Sequence, residues 1–206
     1  MKIEDQKEVW DEIAPKWNEF RKDPIKEIVK FLKVKPGKIL DLGCGSGRHL
    51  MNIKYGKMYL VDFSQGQIHY AKEHAKKNHI EAEFDISPAS KLNYEENFFD
   101  SAIYINTLHC IPKELDREKS LKELHRVMKP GAQAMISVWS RNSERVKNKP
   151  KEAFIPWTVD DNKHMRYYYI YEKDELESLL KNVGFKIIKS WEGENIFYVV
   201  EKLISS

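Results

Sequence analysis

The run ILDLGCGSG, residues 39–47, constrains this chain more than any other stretch. Apolar residues suited to a strand lead straight into Gly43, Gly45 and Gly47. A loop with so little side chain lets the backbone come close to a bound ligand. A helix is expected from Ser46, with its first amides facing the ligand's anionic end. A nicotinamide or flavin fingerprint, G-x-G-x-x-G, requires glycine where this chain carries Arg48, so the loop departs from the dinucleotide pattern. An acid, Asp41, stands two positions before the first glycine.

Around this loop, short apolar runs alternate with amphipathic ones. Strands are expected at 38–42, 57–62, 82–86, 99–105 and 132–139. Ser64 and Gln67 form a capping box opening one helix, and Leu121, Leu124 and Met128 line another. Such alternation implies a parallel sheet. Near the end, Leu176, Leu179, Leu180 and Val183 mark a helix closed by Gly184. Two strand candidates, 185–190 and 196–201, follow it and can form an antiparallel hairpin. Residues 5–33 read as helical, with Asp23 as a cap and Pro24 in the first helical position. Between Ser140 and Tyr171 the periodicity fails, which suggests an insertion over the carboxyl edge of the sheet, where such folds bind ligands. At 206 residues the expectation is one domain, 1–206. It divides into a helical cap (1–35), a cofactor-binding core (36–139), a substrate-side insertion (140–171) and a closing helix and hairpin (172–206).

Bulk charge says little about partners, because the net charge is only +3. Two cysteines, Cys44 and Cys110, build no disulfide framework, and a reducing, cytoplasmic setting is expected. No stretch approaches the ~18 apolar residues of a membrane span, so no membrane partner is expected. His69, His74 and His79 lack H-E-x-x-H spacing and no C-x-x-C is present, so no intrinsic metal is expected.

With Asp41 before its glycines, the loop resembles motif I of class I S-adenosylmethionine methyltransferases. The run ELHRVMKPGAQAMISVW, 123–139, resembles the segment that follows the catalytic strand in these enzymes. The resemblance implies a Rossmann-like α/β fold. That fold is a mostly parallel seven-stranded sheet with helices on both faces and an antiparallel C-terminal strand. Asp62 ends the second strand, where a carboxylate can accept hydrogen bonds from both ribose hydroxyls. By resemblance, Asp85 accepts from the adenine amino group and the backbone of Ile86 reads the ring. Phe63 and Ile86 are placed to sandwich the adenine. S-adenosylmethionine is therefore the expected cofactor, with S-adenosylhomocysteine as product.

Three further stretches together resemble the tRNA wobble-uridine methyltransferases that esterify 5-carboxymethyluridine. They are WDEIAPKWNEFR (10–21), INTLH (105–109) and FIPWTVDDNKHMRYYYIYEKDELESLL (154–180). The resemblance implies a helix closing over the cofactor, a tRNA anticodon stem-loop as substrate and a small zinc-containing activator protein as partner. A carboxylate substrate is already ionised near neutral pH, so no general base is obligatory, and a cationic clamp is what it needs. Arg166 and Arg21 are the candidates, since a guanidinium binds a carboxylate bidentately. His109 and Asn106 follow the fourth strand and can contact the nucleoside or wall the pocket. Trp157, Tyr167 and Tyr168 are candidate base-stacking residues. Arg141 and Arg145 lie in a basic segment, 141–151, suited to phosphate. Two other readings fit the core motifs. One is a small-molecule methyltransferase using His109 as general base; the other is a silent scaffold that binds cofactor or RNA.

Overall fold

The computed structural model describes residues 5–204, so the first four and last two positions of the expected 1–206 domain lie outside the described residues. Apolar runs bounded by glycine or polar turns become the strands β1 (Gly37–Leu42), β2 (Gly56–Asp62), β3 (Ala82–Ile86), β4 (Phe99–Ile105) and β5 (Met128–Trp139). They pair in parallel, with β1 between β2 and β4. The last two strands are β8 (Phe185–Glu192) and β9 (Asn195–Lys202); β9 runs antiparallel between β5 and β8. The sheet order is β3-β2-β1-β4-β5-β9-β8. The expected seven-stranded Rossmann-like sheet is thus the observed one. Its order reverses between β1 and β4, and at such a switch point a crevice opens beyond the carboxyl ends of the strands.

Alternation along β1 shows why both faces are covered. Leu40 and Leu42 pack into one apolar core and Ile39 into the other. Helices α4 (Glu114–Val127) and α5 (Lys173–Val183) close the first face through Leu121, Leu124, Leu176 and Leu180. Helices α2 (Lys26–Lys33) and α3 (Gln65–Lys77) close the second through Ile28, Leu32, Ile68 and Ala71. Gly184 ends α5 in the left-handed region at φ +105°, as its position predicts.

Four local expectations are corrected. No helix starts at Ser46; residues 45–49 are turns and 50–53 run irregularly into β2. Gly45 and Gly47 hold φ +53° and +77°, left-handed values that a right-handed helix cannot contain. The helical reading of 5–33 splits into α1 (Gln6–Phe20) and α2, and α2 is preceded by Ile25, so Asp23 is not its cap and Pro24 not its first residue. Only half of the capping box forms: Ser64 Oγ accepts from the Gln67 amide, while the Gln67 side-chain amide donates to Trp10 O. Met128 begins β5 rather than continuing α4.

The insertion is not irregular. It folds into an antiparallel hairpin of β6 (Glu152–Val159) and β7 (Asn162–Tyr169), separate from the main sheet. Its two-residue turn is Asp160-Asp161, both at positive φ. Such a turn matches the strand twist, and aspartate tolerates it better than most residues.

Candidate active site

Helix α1 carries Gln6, Trp10 and Trp17 on one face, with Arg21 just past its end, spaced so that all four fall on one stripe. Its seat is set by Asp11. One carboxylate oxygen accepts from Ser64 Oγ at 2.6 Å and from the Gly66 amide at 2.9 Å, so α1 caps the N-terminus of α3. Gln6 secures the other end, donating to Met165 O and accepting from the Tyr167 amide on β7. His164 and Glu12 add a contact at 2.8 Å. The helix thereby crosses the carboxyl ends of β1 and β4.

Beneath it lie two adjoining open clefts of about 700 and 720 Å³ that share Gly43, Asp62, Phe63, Thr107 and Cys110. The first runs from the glycine turn to Trp10, Trp17, Arg21, Arg48 and His49; the second passes along 87–90 toward Pro112. At the shared wall the fit is close. Gly43 stands at φ +68°, and a Cβ there would sit 2.2 Å from Thr107 Cγ2. The Thr107 hydroxyl lies 3.0 Å from the Gly43 carbonyl oxygen.

The first cleft is lined by buried polar atoms that no group among the described residues satisfies: Asp41 Oδ2, Gln67 Oε1, Trp10 Nε1, Arg21 Nε and His49 Nε2. Buried polar groups are rarely left so, and a cluster of them around a cleft marks a ligand that completes them. Burial first, and the neighbouring Asp62 second, push the Asp41 carboxyl up to about 8. Burial raises Asp62 to about 6, against its hydrogen bonds from the Ser64 and Gly45 amides at 3.0 and 2.9 Å. Burial and the adjacent Arg48 hold His49 neutral, near 3. Both carboxyl groups thus invite a cation. Arg48 is drawn down to about 10 by burial and then by repulsion from Arg21. Arg21 is lowered by burial, Arg145 and Arg166.

The hairpin supplies the opposite wall. On β7, Arg166 and Tyr168 share one face and Tyr167 takes the other. Arg166 is 4% exposed and donates to Tyr168 Oη at 2.7 Å. Its guanidinium lies 5.2 Å from the Trp17 ring, 5.0 Å from Trp157 and 6.0 Å from Trp10. Its Nε has no partner, and among the described residues no carboxylate pairs with it. Arg166 lines neither cleft itself; Trp10 and Trp17 stand in the cleft and touch it.

Several candidate residues take roles other than those expected. Tyr168 is buried, stacked on Trp139 at 4.3 Å with His109 tilted against both rings, so it has no exposed ring face to offer a base. Tyr167 is also buried, packed on Phe154 with its hydroxyl toward Arg117. Trp157 does reach the arginine cage. His109 is buried, and its Nδ1 accepts from the Trp139 amide at 3.1 Å, so its hydrogen sits on Nε2. Burial, with Arg145 and Arg166, holds it near 3. A neutral ring whose only basic nitrogen is already engaged is no general base. Asn106 lines the first cleft at φ +53°, its side chain tied to Ser137 Oγ. Asp85 and Ile86 line neither cleft: Asp85 holds Ser87 Oγ at 2.8 Å and Asn93 Nδ2 at 3.1 Å, which shapes the loop that does line the second. Arg141 pairs with Glu172 and donates to Lys149 O, so it braces the insertion instead of awaiting a phosphate. Arg145 is exposed and has no carboxylate partner among the described residues.

Sequence reasoning passed over Trp10, Trp17, Arg48, His49, Gln67 and Thr107 as site residues. The two tryptophans had a signal, their seven-residue spacing on one helical face. Arg48 was read only as a departure from another motif.

The methyltransferase-domain family model matches residues 33–184. The chain belongs to that family. A curated relative from Schizosaccharomyces pombe, tRNA (carboxymethyluridine(34)-5-O)-methyltransferase, is 26% identical over 95% of this chain and 95% of its own. An Arabidopsis thaliana protein of the same name is 33% identical over 66% of this chain. Zea mays phosphoethanolamine N-methyltransferase 1 is 29% identical over 78%. The chain spans only 33% and 30% of these last two. Among solved structures, a SAM-dependent methyltransferase from Methanosarcina mazei superposes with TM-score 0.70 at 21% identity, covering 89% of this chain and 100% of its own. A complex of the Haloferax volcanii Trm112 methyltransferase activator with a methyltransferase contains a chain matching at TM-score 0.70 and 15% identity, over 100% of this chain and 99% of its own.

The methyltransferase is S-adenosylmethionine-dependent, and its residues fit that cofactor. Asp41 and Gln67 offer unsatisfied acceptors to an ammonium group, and Trp10 and Arg48 offer donors to a carboxylate. Asp62, at the seam of the clefts, keeps lone pairs for hydroxyl groups, and Phe63 walls both sides. When bound, the cofactor supplies an electrophilic methyl group. Among the described residues no group of three potential metal ligands occurs, and no helix is long and apolar enough to cross a membrane.

Proposed function

We propose that this methyltransferase esterifies the carboxylate of 5-carboxymethyluridine at the wobble position of tRNA, and that a small activator protein is its partner. The observation that carries this reading is Arg166. It is a buried guanidinium with an unsatisfied Nε, caged by three tryptophans and a tyrosine, and among the described residues it has no counter-ion. A buried charge without a partner is costly, which favours an anionic group arriving with the substrate. Reaching it requires the Trp10 or Trp17 ring to yield.

The chemistry then asks little of acid–base residues. A carboxylate oxygen attacks the methyl carbon as the carbon–sulfur bond breaks, and the protein's part is alignment and exclusion of water. Arg166 orients the carboxylate, Tyr168 and the tryptophan rings hold the guanidinium, and Asn106 and Thr107 wall the approach from β4. The clamp must not grip too strongly, because charge leaves the carboxylate as the ester forms. The engaged Nδ1 of His109 weighs against a small-molecule hydroxyl or amine substrate, which would need a base. The S. pombe relative's name and the match to the activator complex support the same reading.

The test incubates the protein, with and without such an activator, with methyl-labelled cofactor and tRNA lacking wobble methyl esters. Label that enters RNA and leaves as methanol in mild alkali is the expected result. Alkali-stable label, or none under any condition, refutes ester formation. Arg166→Ala should lose most turnover while cofactor affinity stays within about twofold; near-normal turnover would remove Arg166 from the site.

A further inference from the structure

The tryptophan cage does not end inside the protein. From Trp10 the rings pass edge to face to Trp17, then to Trp157, and finally to Phe20, each centroid 5.1 Å from the next. Phe20 closes α1 and is 63% exposed. A single exposed apolar side chain is unremarkable. Here it borders two cationic groups that no carboxylate in the described residues pairs with. Arg21 lies 5.0 Å from both the Phe20 and Trp17 rings, and its Nε is buried without a partner. Arg145 lies close enough to lower Arg21 by repulsion and is itself exposed. The neighbouring acid, Glu19, is already held by Lys16 at 3.3 Å.

An open π face beside two uncompensated guanidinium groups matches one kind of occupant, an unstacked nucleotide of single-stranded RNA. The base stacks on the ring and the phosphate lies on the arginines. We infer that Phe20 is a base-stacking platform for the nucleotide next to the one that is methylated, with Arg21 and Arg145 holding the intervening phosphate. This rests on the RNA reading above. It replaces the buried Tyr167 and Tyr168 as the stacking residues and makes the enzyme select a loop over a free nucleoside.

The experiment measures binding of a fluorescein-labelled anticodon stem-loop by anisotropy at fixed salt, for the wild type, Phe20→Ala and Phe20→Trp. Cofactor affinity is measured in parallel by calorimetry with S-adenosylhomocysteine. Loss of one stacked base weakens binding about tenfold. Phe20→Ala should show that loss, Phe20→Trp should restore affinity to within about twofold, and cofactor affinity should stay constant. Equal RNA affinity of Phe20→Ala and wild type overturns the platform, as does a parallel fall in cofactor affinity, which indicates only a packing role. If the wild type methylates the RNA and Phe20→Ala does so with the same KM, the platform fails and the wobble reading stands. If RNA binds through Phe20 but is never methylated, the wobble reading fails and the platform stands. A wild type that does not bind the stem-loop overturns both.

Discussion

Cofactor binding should release a proton, and the group that gives it up is Asp41. Its carboxyl is raised to about 8 by burial and by Asp62, and its Oδ2 faces the first cleft with no partner. A ligand carrying a sulfonium and an ammonium favours the ionised form. A group at about 8 is ionised in about one molecule in eleven at pH 7 and one in a hundred at pH 6, which follows from the definition of pKa. If the complex requires the carboxylate, apparent affinity falls about ninefold, or ~1.3 kcal/mol, from pH 7 to pH 6. Asp62, at about 6, adds a further factor of about two. About 0.9 proton should leave Asp41 per cofactor bound at pH 7.

Calorimetry in buffers of different ionisation enthalpy reads that proton directly. Asp41→Asn should abolish most of the release and flatten the pH dependence. A proton count near zero at pH 7, with equal affinity at pH 6 and 7, would refute the argument. The same shift has a consequence for the unliganded protein. A folded-state pKa above the unfolded one means the folded chain holds the extra proton. This contribution to stability is complete below about 4 and is lost as pH rises through about 8. Thermal unfolding should therefore show the unliganded protein weaker at pH 8 than at pH 6, and the cofactor should protect it most at the alkaline end.

Two further substitutions probe the walls of the site. Gly43→Ala should lose cofactor binding, because the added Cβ lands 2.2 Å from Thr107 Cγ2 at φ +68°; the left-handed strain alone costs about 1–2 kcal/mol. Circular dichroism separates loss of binding from loss of fold, and normal affinity would mean the turn can move. Asp11→Ala removes the cap on α3 and the seat of α1, lowering stability by about 1–2 kcal/mol. Denaturant unfolding measures that fall, and a parallel rise in the cofactor off-rate is expected; an unchanged midpoint would show that α1 is held elsewhere.

Much of this molecule was legible before any coordinates. Parallel strands follow from apolar runs of strand length between helical patterns, because period and turn chemistry are local properties of the chain. The glycine spacing and Asp41 and Asp62 at strand ends pointed to the cofactor cleft for the same reason. Where local rules conflicted, the sequence misled. Ser46 began a plausible helix, yet Gly47 adopts a left-handed conformation that only packing against Ala71 makes visible. Residues 140–171 lacked periodicity because β6 and β7 bury one face against α1 and the other partly against 108–117, so polar and apolar residues do not simply alternate.

The substrate wall depended most on tertiary structure. Trp10 and Trp17 lie far in the chain from Trp157 and Arg166, and the two pairs meet only because Asp11 and Gln6 pin α1 across the hairpin. Tyr167 and Tyr168 are neighbours in sequence, and nothing local shows that one stacks on Trp139 while the other faces Arg117. The sequence by itself determined the sheet, the glycine turn and the acids at its strand ends, since each depends on residues within a few positions of one another. Which cations are buried without partners, and which aromatic face stays open, was decided by contacts between distant segments, because burial and pairing are properties of the folded surface.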